Sequence, residues 1–278
     1  MEKLVVSVLL LHSYHQSIFY KNMGTSRFFE SILYFFDSSF RIGFNQRDRD
    51  AYVEKIARTL PSSSTVLDVG AGRGIYRHFF DHCIYKTHDF KKYHPIDRLH
   101  NPYETWEYTD IDYKSDITHI PVEDKSFDFI LCTEVLEHVP DPIAAIREMA
   151  RIVKSGGRIL ITAPLGSGLH QKPYHFFGGF TPYFYQKYLS ENKCIIKEIV
   201  PNGGFLKHFV QESGRVSDWL IMSHTYRRYD PRRLAIRFLF HFLIPLLLYK
   251  KDEKYFLEDF TVEYFVLAQK NIKFANDR

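Results

Sequence analysis

The stretch Val66-Leu67-Asp68-Val69-Gly70-Ala71-Gly72-Arg73-Gly74 carries an apolar, β-branched run straight into a loop with glycine at every second position. A strand feeding such a loop lets a ligand approach the backbone closely, because glycine adds no side chain and tolerates positive φ. The dinucleotide fingerprint G-x-G-x-x-G would need a third glycine at position 75, which is Ile75. The loop meets G-x-G-x-G instead, so a nicotinamide- or flavin-dependent oxidoreductase is disfavoured.

Working outward, short apolar and β-branched runs predict strands over 65–69, 84–88, 127–132, 158–163, 194–200 and 262–268. A helix is predicted over 51–60, ending at Pro61. A second opens at the N-cap Asp141 with Pro142 in its first turn, shows Ile143, Ile146, Ala150 and Val153 at helical spacing, and is closed by Gly156-Gly157. Strands alternating with helices predict an α/β fold with a mostly parallel sheet. The predicted organisation is a helical extension over 1–60 and one domain over 61–278, with substrate-side or lid insertions at 165–190 and 203–258.

Acidic residues fall in step with the loop. Asp89 ends the second strand about twenty residues beyond Gly70, where a carboxylate can accept both ribose hydroxyls. Asp116 precedes Ile117, and Glu134 follows the strand that starts at Phe127. Carboxyl ends of neighbouring strands line one crevice in such folds, so these acids outline a nucleoside-shaped site.

Composition narrows the function classes. The 278 residues are 25% charged, 45% hydrophobic and 17% aromatic, a balance that excludes a mainly disordered or low-complexity chain. The net charge of +4 arises from 37 Lys and Arg against 33 Asp and Glu, too small an excess to drive polyanion binding. DNA is therefore not expected as a partner and RNA is disfavoured. The three cysteines, Cys83, Cys132 and Cys194, have no C-x-x-C spacing, which predicts neither a disulfide framework nor a cysteine zinc site and fits a reducing, cytoplasmic compartment. The apolar run 4–11 lacks a small-residue cleavage site and is expected to be a strand or helix end, not a signal peptide.

Taken together, V-L-D-V-G-A-G-R-G, the acid at Asp89, S-D-I-T-H-I-P-V-E-D-K-S-F-D-F-I, C-T-E-V-L-E-H-V-P-D-P and R-I-V-K-S-G-G-R-I-L-I-T-A-P resemble the class I S-adenosylmethionine-dependent methyltransferases, of the type 11-like kind. The resemblance covers roughly residues 60–165. It implies a Rossmann-like three-layer sandwich whose seven-stranded sheet has the order 3-2-1-4-5-7-6 with one antiparallel strand. It also implies that Asp68, Gly70, Ala71 and Gly72 hold the methionine part of S-adenosylmethionine, Asp89 and Phe90 the ribose, and Asp116 with Ile117 the adenine. Thr133 and Glu134 would lie near the sulfonium.

For the acceptor end, His138, His170, His175 and Tyr174 are the candidates, because a hydroxyl acceptor must lose a proton and a histidine can take it. Glu134, Glu137 and His138, spaced i, i+3, i+4, would share one face of a helical turn and could hold Mg²⁺ or Mn²⁺. The same E-x-x-E-H pattern resembles metal-assisted members of the superfamily, such as ubiquinone-pathway O-methyltransferases and small-RNA 2′-O-methyltransferases, with His170 or His175 as a fourth ligand; it equally resembles metal-free members, in which Glu137 and His138 brace the turn, and no metal is expected. Residues 234–249 are strongly apolar, broken by Pro245 and flanked by Arg227, Arg228, Arg232, Arg233, Lys250, Lys251 and Lys254. Two readings follow: a buried helix covering the sheet beside the site, or a segment at a membrane interface or over a lipid-like substrate. The expected activity is methyl transfer, at oxygen, to a small-molecule, sugar, polysaccharide- or lipid-linked acceptor. The alternative is a non-catalytic module that binds S-adenosylmethionine or S-adenosylhomocysteine.

Overall fold

The structure, a computed structural model, describes residues 41–94, 106–222 and 230–272. The apolar run 4–11, most of the extension over 1–60, and Arg227 and Arg228 lie outside the described residues.

Seven strands form one sheet: β1 (Thr65–Val69), β2 (Ile84–Asp89), β3 (Tyr113–Lys114), β4 (Phe127–Thr133), β5 (Val153–Pro164), β6 (Cys194–Pro201) and β7 (Glu263–Lys270). Their order is β3-β2-β1-β4-β5-β7-β6, as the resemblance implies. The pairs β1–β2, β1–β4, β2–β3 and β4–β5 are parallel, while β7 runs antiparallel to both β5 and β6.

Alternation along the strands makes two cores. Leu67, Ile130, Ile161 and Val266 face one side, where they bury Ile146 and Met149 of α2 (Pro142–Ile152) and Tyr185 and Leu189 of α3 (Pro182–Glu191). Their neighbours Val66, Leu131, Leu160 and Leu267 face the other side, against Tyr52, Val53 and Ile56 of α1 (Phe44–Ala57). The period of two thus builds a three-layer sandwich from strands apolar on both faces.

Several boundaries depart from expectation. Helix α1 spans 44–57, earlier at both ends than the predicted 51–60. Asp141 does cap α2, its Oδ1 accepting the Ala144 N–H at 2.9 Å, but the helix ends at Ile152 and not at the glycines. Gly156 and Gly157 lie inside β5 instead. A Cβ on Gly157 would sit 2.9 Å from the Asp128 carbonyl, so glycine there permits close strand approach at the irregular start of the β4–β5 pairing. The two-residue β3 carries no periodic signal and was not predicted.

Between β6 and β7 the chain makes α4 (Phe205–Met222), α5 (Pro231–Arg237), a π-helical stretch (Phe238–Leu243) and α6 (Ile244–Leu248). Asp252 anchors this insertion by accepting the backbone N–H groups of Gly204, Leu206 and Lys207 at 2.8–3.1 Å, which satisfies the orphan donors opening α4. The buried-helix reading of 234–249 does not hold: across 231–248 only Pro245 is buried.

Candidate active site

The β1 loop is hooked onto β2. The Gly70 and Ala71 N–H groups both donate to the His88 carbonyl, at 2.8 and 2.9 Å, and Gly72 N–H donates to Asp89 Oδ2 at 2.9 Å. Gly70 takes φ +75°, and a Cβ there would lie 2.4 Å from Val135 Cγ2, so both conformation and space require glycine. At Gly72, with φ +50°, a Cβ would stand 3.0 Å from the Trp106 ring.

This loop floors a cavity of about 460 Å³ at the carboxyl ends of the parallel strands. All ten residues predicted for the nucleoside ligand line it: Asp68, Gly70, Ala71, Gly72, Asp89, Phe90, Asp116, Ile117, Thr133 and Glu134. Of the acceptor candidates, His138 and Tyr174 line it as well; His170 and His175 do not, but stand just behind His138. Their ring centroids lie 4.8 and 5.7 Å from that of His138, and 4.5 Å from each other. The 165–190 insertion contributes Gln171, Tyr174 and Phe176 to the lining, whereas 203–258 contributes none.

Each acid has its own environment. Asp68 is buried and accepts the Tyr85 hydroxyl; burial, reinforced by the charge of Asp89, pushes its carboxyl up to about 7. Asp89 accepts Gly72 N–H on one oxygen and Lys91 N–H, at 2.7 Å, on the other. Burial nonetheless raises its pKa. Asp116 accepts both the N–H and the hydroxyl of Thr118, at 2.9 and 2.7 Å, and these bonds hold its carboxyl low.

Glu134 is tied into a network that sequence reasoning missed. Its Oε1 accepts the Thr162 hydroxyl at 3.0 Å, and its Oε2 lies 3.1 Å from Nη1 of Arg49, brought in by α1. The same guanidinium lies 2.9 Å from Glu263 of β7, whose other oxygen accepts Asn202 Nδ2 at 2.8 Å. Burial alone would raise Glu134, but Arg49 holds it below the ordinary range, while burial and the charge of Glu134 push Glu263 well up. Arg49 thus stands between two carboxylates, half-buried Glu134 on the cavity side and fully buried Glu263 behind it, which share its one positive charge.

The predicted helical face of Glu134, Glu137 and His138 does not form. Glu134 takes φ +53° and turns the chain, and the following residues make a single 3₁₀ turn, Leu136–His138. Glu134 is directed to Arg49, so Glu137 and His138 meet His170 instead. Burial, with the like charges of His170 and His175, lowers His138 to about 4.

Gln46, Arg49 and Tyr76 on one wall, and Tyr93, Trp106 and Tyr108 on another, also line the cavity without having been predicted. Trp106 packs edge-on to Tyr93 and Tyr108, at centroid distances of 5.2 and 5.9 Å. The paired aromatics of W-E-Y, just ahead of the acids Asp110 and Asp112, were the available signal. Arg49 gave none, since its partners Glu134 and Glu263 lie just beyond β4 and on β7, far away in sequence.

The profile of a family described as "Methyltransferase domain" matches residues 43–195. A ubiquinone biosynthesis O-methyltransferase of Xanthomonas axonopodis pv. citri is 30% identical over 108 residues, 38% of this chain and 45% of that protein. A tRNA U34 carboxymethyltransferase of Nautilia profundicola is 33% identical over 100 residues, 34% of this chain and 33% of that protein. The chain thus matches less than half the length of either relative. Among solved structures, a protein provisionally described as a sarcosine dimethylglycine methyltransferase of Galdieria sulphuraria shares the fold, with a TM-score of 0.50 and 18% identity over 81% of this chain and 85% of that one.

Proposed function

The chain belongs to the methyltransferase domain family, the class I S-adenosylmethionine-dependent methyltransferases, and on that premise we propose that it transfers the methyl group of S-adenosylmethionine to oxygen on a small-molecule, sugar or lipid-linked acceptor. The observation that carries this reading is the convergence of Asp68, Asp89, Asp116 and Glu134, each from the end of a different strand, on one cavity of about 460 Å³.

The roles follow from chemistry. Asp68 in its anionic form, with the Gly70–Gly72 backbone, suits the ammonium and carboxylate of the methionine part. Asp89, beside Phe90, suits the ribose diol, and Asp116 with buried Ile117 the adenine. Thr133 and Glu134 lie where the sulfonium would sit, and the Glu134 carboxylate complements its positive charge. The methyl carbon is already activated, so the protein need only align it with the acceptor. The acceptor oxygen forms the new O–CH₃ bond as the S–CH₃ bond breaks, and its proton passes to the imidazole cluster of His138, His170 and His175. Tyr174 and Phe176 supply the apolar wall beside it. Oxygen as the acceptor atom is supported by that cluster and by the O-methyltransferase named among the relatives.

The test is incubation with methyl-labelled S-adenosylmethionine and either a polar-metabolite or a lipid extract. Label in an extracted product that is lost in a Tyr174→Ala variant supports the reading. A protein that binds S-adenosylhomocysteine but transfers label to neither extract is the non-catalytic module instead.

A further inference from the structure

Asp68 does not stand alone on its strand. The register of β1 and β2 pairs Val66 with Tyr85 and Asp68 with Thr87, so Asp68 and Tyr85 share one face of the sheet, offset by two residues. Neighbouring strands are about 4.8 Å apart and two residues advance a strand by about 6.6 Å, a diagonal that the length of a tyrosine spans. The Tyr85 hydroxyl donates to Asp68 Oδ2. It is the sole hydrogen bond to this carboxylate among the described residues, and Oδ1 is left without one. Asp68 lines the cavity and Tyr85 does not, so the bond ties one oxygen back to β2 and leaves the other to a ligand.

Tyr85 is held in turn. Phe80, in the 3₁₀ turn Arg77–Phe80, packs against its ring at a centroid distance of 5.5 Å, and the Arg77 guanidinium lies over the ring at 5.0 Å. Burial and the charge of Asp68 keep the proton on the phenol, so it remains a donor. The groups around the carboxylate act in opposite directions. Burial and Asp89 of β2 favour its neutral form, and the buried Cys132 thiol of β4 stays uncharged. Tyr85 and Arg77 favour the anion. A hydrogen bond donated to a carboxylate stabilises its charged form, which is the form that an ammonium group binds.

We propose that Tyr85 is a positioning residue of the methyl-donor site: its hydroxyl fixes the Asp68 carboxylate with Oδ1 towards the cavity, where it receives the ammonium of the methionine part. The role rests on the methyl-transfer reading of the cavity, because it needs a ligand that carries an ammonium group. Tyr85 stands outside the cavity lining and acts through Asp68. Its loss should therefore be felt by the amino-acid part of a ligand and not by the nucleoside part.

The experiment is calorimetric titration of the full chain between about pH 5.5 and 7, below the ligand's α-amino titration, with two ligands. S-adenosylhomocysteine carries the ammonium; 5′-methylthioadenosine keeps the adenine and ribose but has neither ammonium nor carboxylate. Tyr85→Phe retains the ring against Phe80, and its binding of 5′-methylthioadenosine reports that it is folded. The expected result at about pH 7 is at least a fivefold loss of affinity for S-adenosylhomocysteine, with 5′-methylthioadenosine unchanged within about twofold. Near that pH the variant's affinity should still climb by about tenfold per pH unit, where the wild type begins to level off, since the carboxyl now ionises at higher pH. In an Asp68→Asn background the same change should alter neither affinity. Equal losses for the two ligands would make Tyr85 a packing residue and overturn the proposal, as would an unchanged affinity and pH profile for S-adenosylhomocysteine. A wild type that binds 5′-methylthioadenosine but S-adenosylhomocysteine no more tightly overturns it while leaving the nucleoside site standing; one that binds neither removes the methyl-donor reading itself.

Discussion

Asp68 sets the charge of the cavity floor. With its carboxyl pushed up to about 7 by burial, it is largely protonated below that pH in the free protein. An ammonium ligand binds the anion, so affinity for S-adenosylhomocysteine should climb by up to about tenfold per pH unit as pH rises towards 7 and then level off. The slope should vanish in Asp68→Asn, as read by titration between about pH 5.5 and 7, below the ligand's own α-amino titration. A wild-type affinity that is flat over that range would contradict the role given to Asp68. At this scale much of the site was legible in the sequence. The candidates on β1, β2 and β4 sit at or just beyond the end of a strand whose apolar run into glycine or an acid announces the position locally, whereas Asp116 and Ile117 follow the unsignalled β3 and were placed by the resemblance alone. Arg49 was not legible, because a buried arginine acquires meaning only from Glu134 and Glu263, which are distant in sequence.

At the scale of elements, α1 is part of the site, not an appendage. It crosses the sheet and delivers Gln46 and Arg49 to the cavity. Removing the one cation that Glu134 and Glu263 share leaves half-buried Glu134 without its partner, so Arg49→Met should cost about 1–3 kcal/mol, between an exposed and a fully buried pair, measured by urea unfolding. The same variant should weaken S-adenosylhomocysteine binding, because Glu134 loses its fixed orientation. A loss below about 1 kcal/mol would mean that the ion pairs are not what holds α1 here. Strand positions such as 65–69 were legible from apolar, β-branched runs bounded by turns. The E-V-L-E-H turn was not: its spacing fits a helix, and only the positive φ of Glu134 and the pull of Arg49 decide otherwise.

On the scale of the whole molecule, the insertion between β6 and β7 leaves apolar side chains in solvent. Leu234 is 71% exposed, Phe238 57%, Leu247 52% and Trp219 65%. Arg232, Lys250, Lys251 and Lys254 are exposed along the same segment. No helix among the described residues is long and apolar enough to cross a membrane. Apolar side chains beside exposed cations fit an anionic lipid surface, where each basic residue contributes about 1 kcal/mol. Co-sedimentation with anionic vesicles should therefore recover the protein at low salt. Recovery should drop in a Lys250→Glu, Lys251→Glu variant and on vesicles of neutral lipid. Equal recovery from neutral and anionic vesicles, or none from either, would remove the membrane from the account.

The central claim is that the cavity over the glycine loop binds the nucleoside of the methyl donor, and calorimetric titration with S-adenosylhomocysteine tests it most directly. Asp89 holds Gly72 and lines the cavity where the proposal seats the ribose. The account predicts micromolar binding to the wild type and at least tenfold weaker binding to Asp89→Ala, about 1.4 kcal/mol or more. A folded wild type that releases no heat, or an Asp89→Ala variant that binds as tightly, would contradict it.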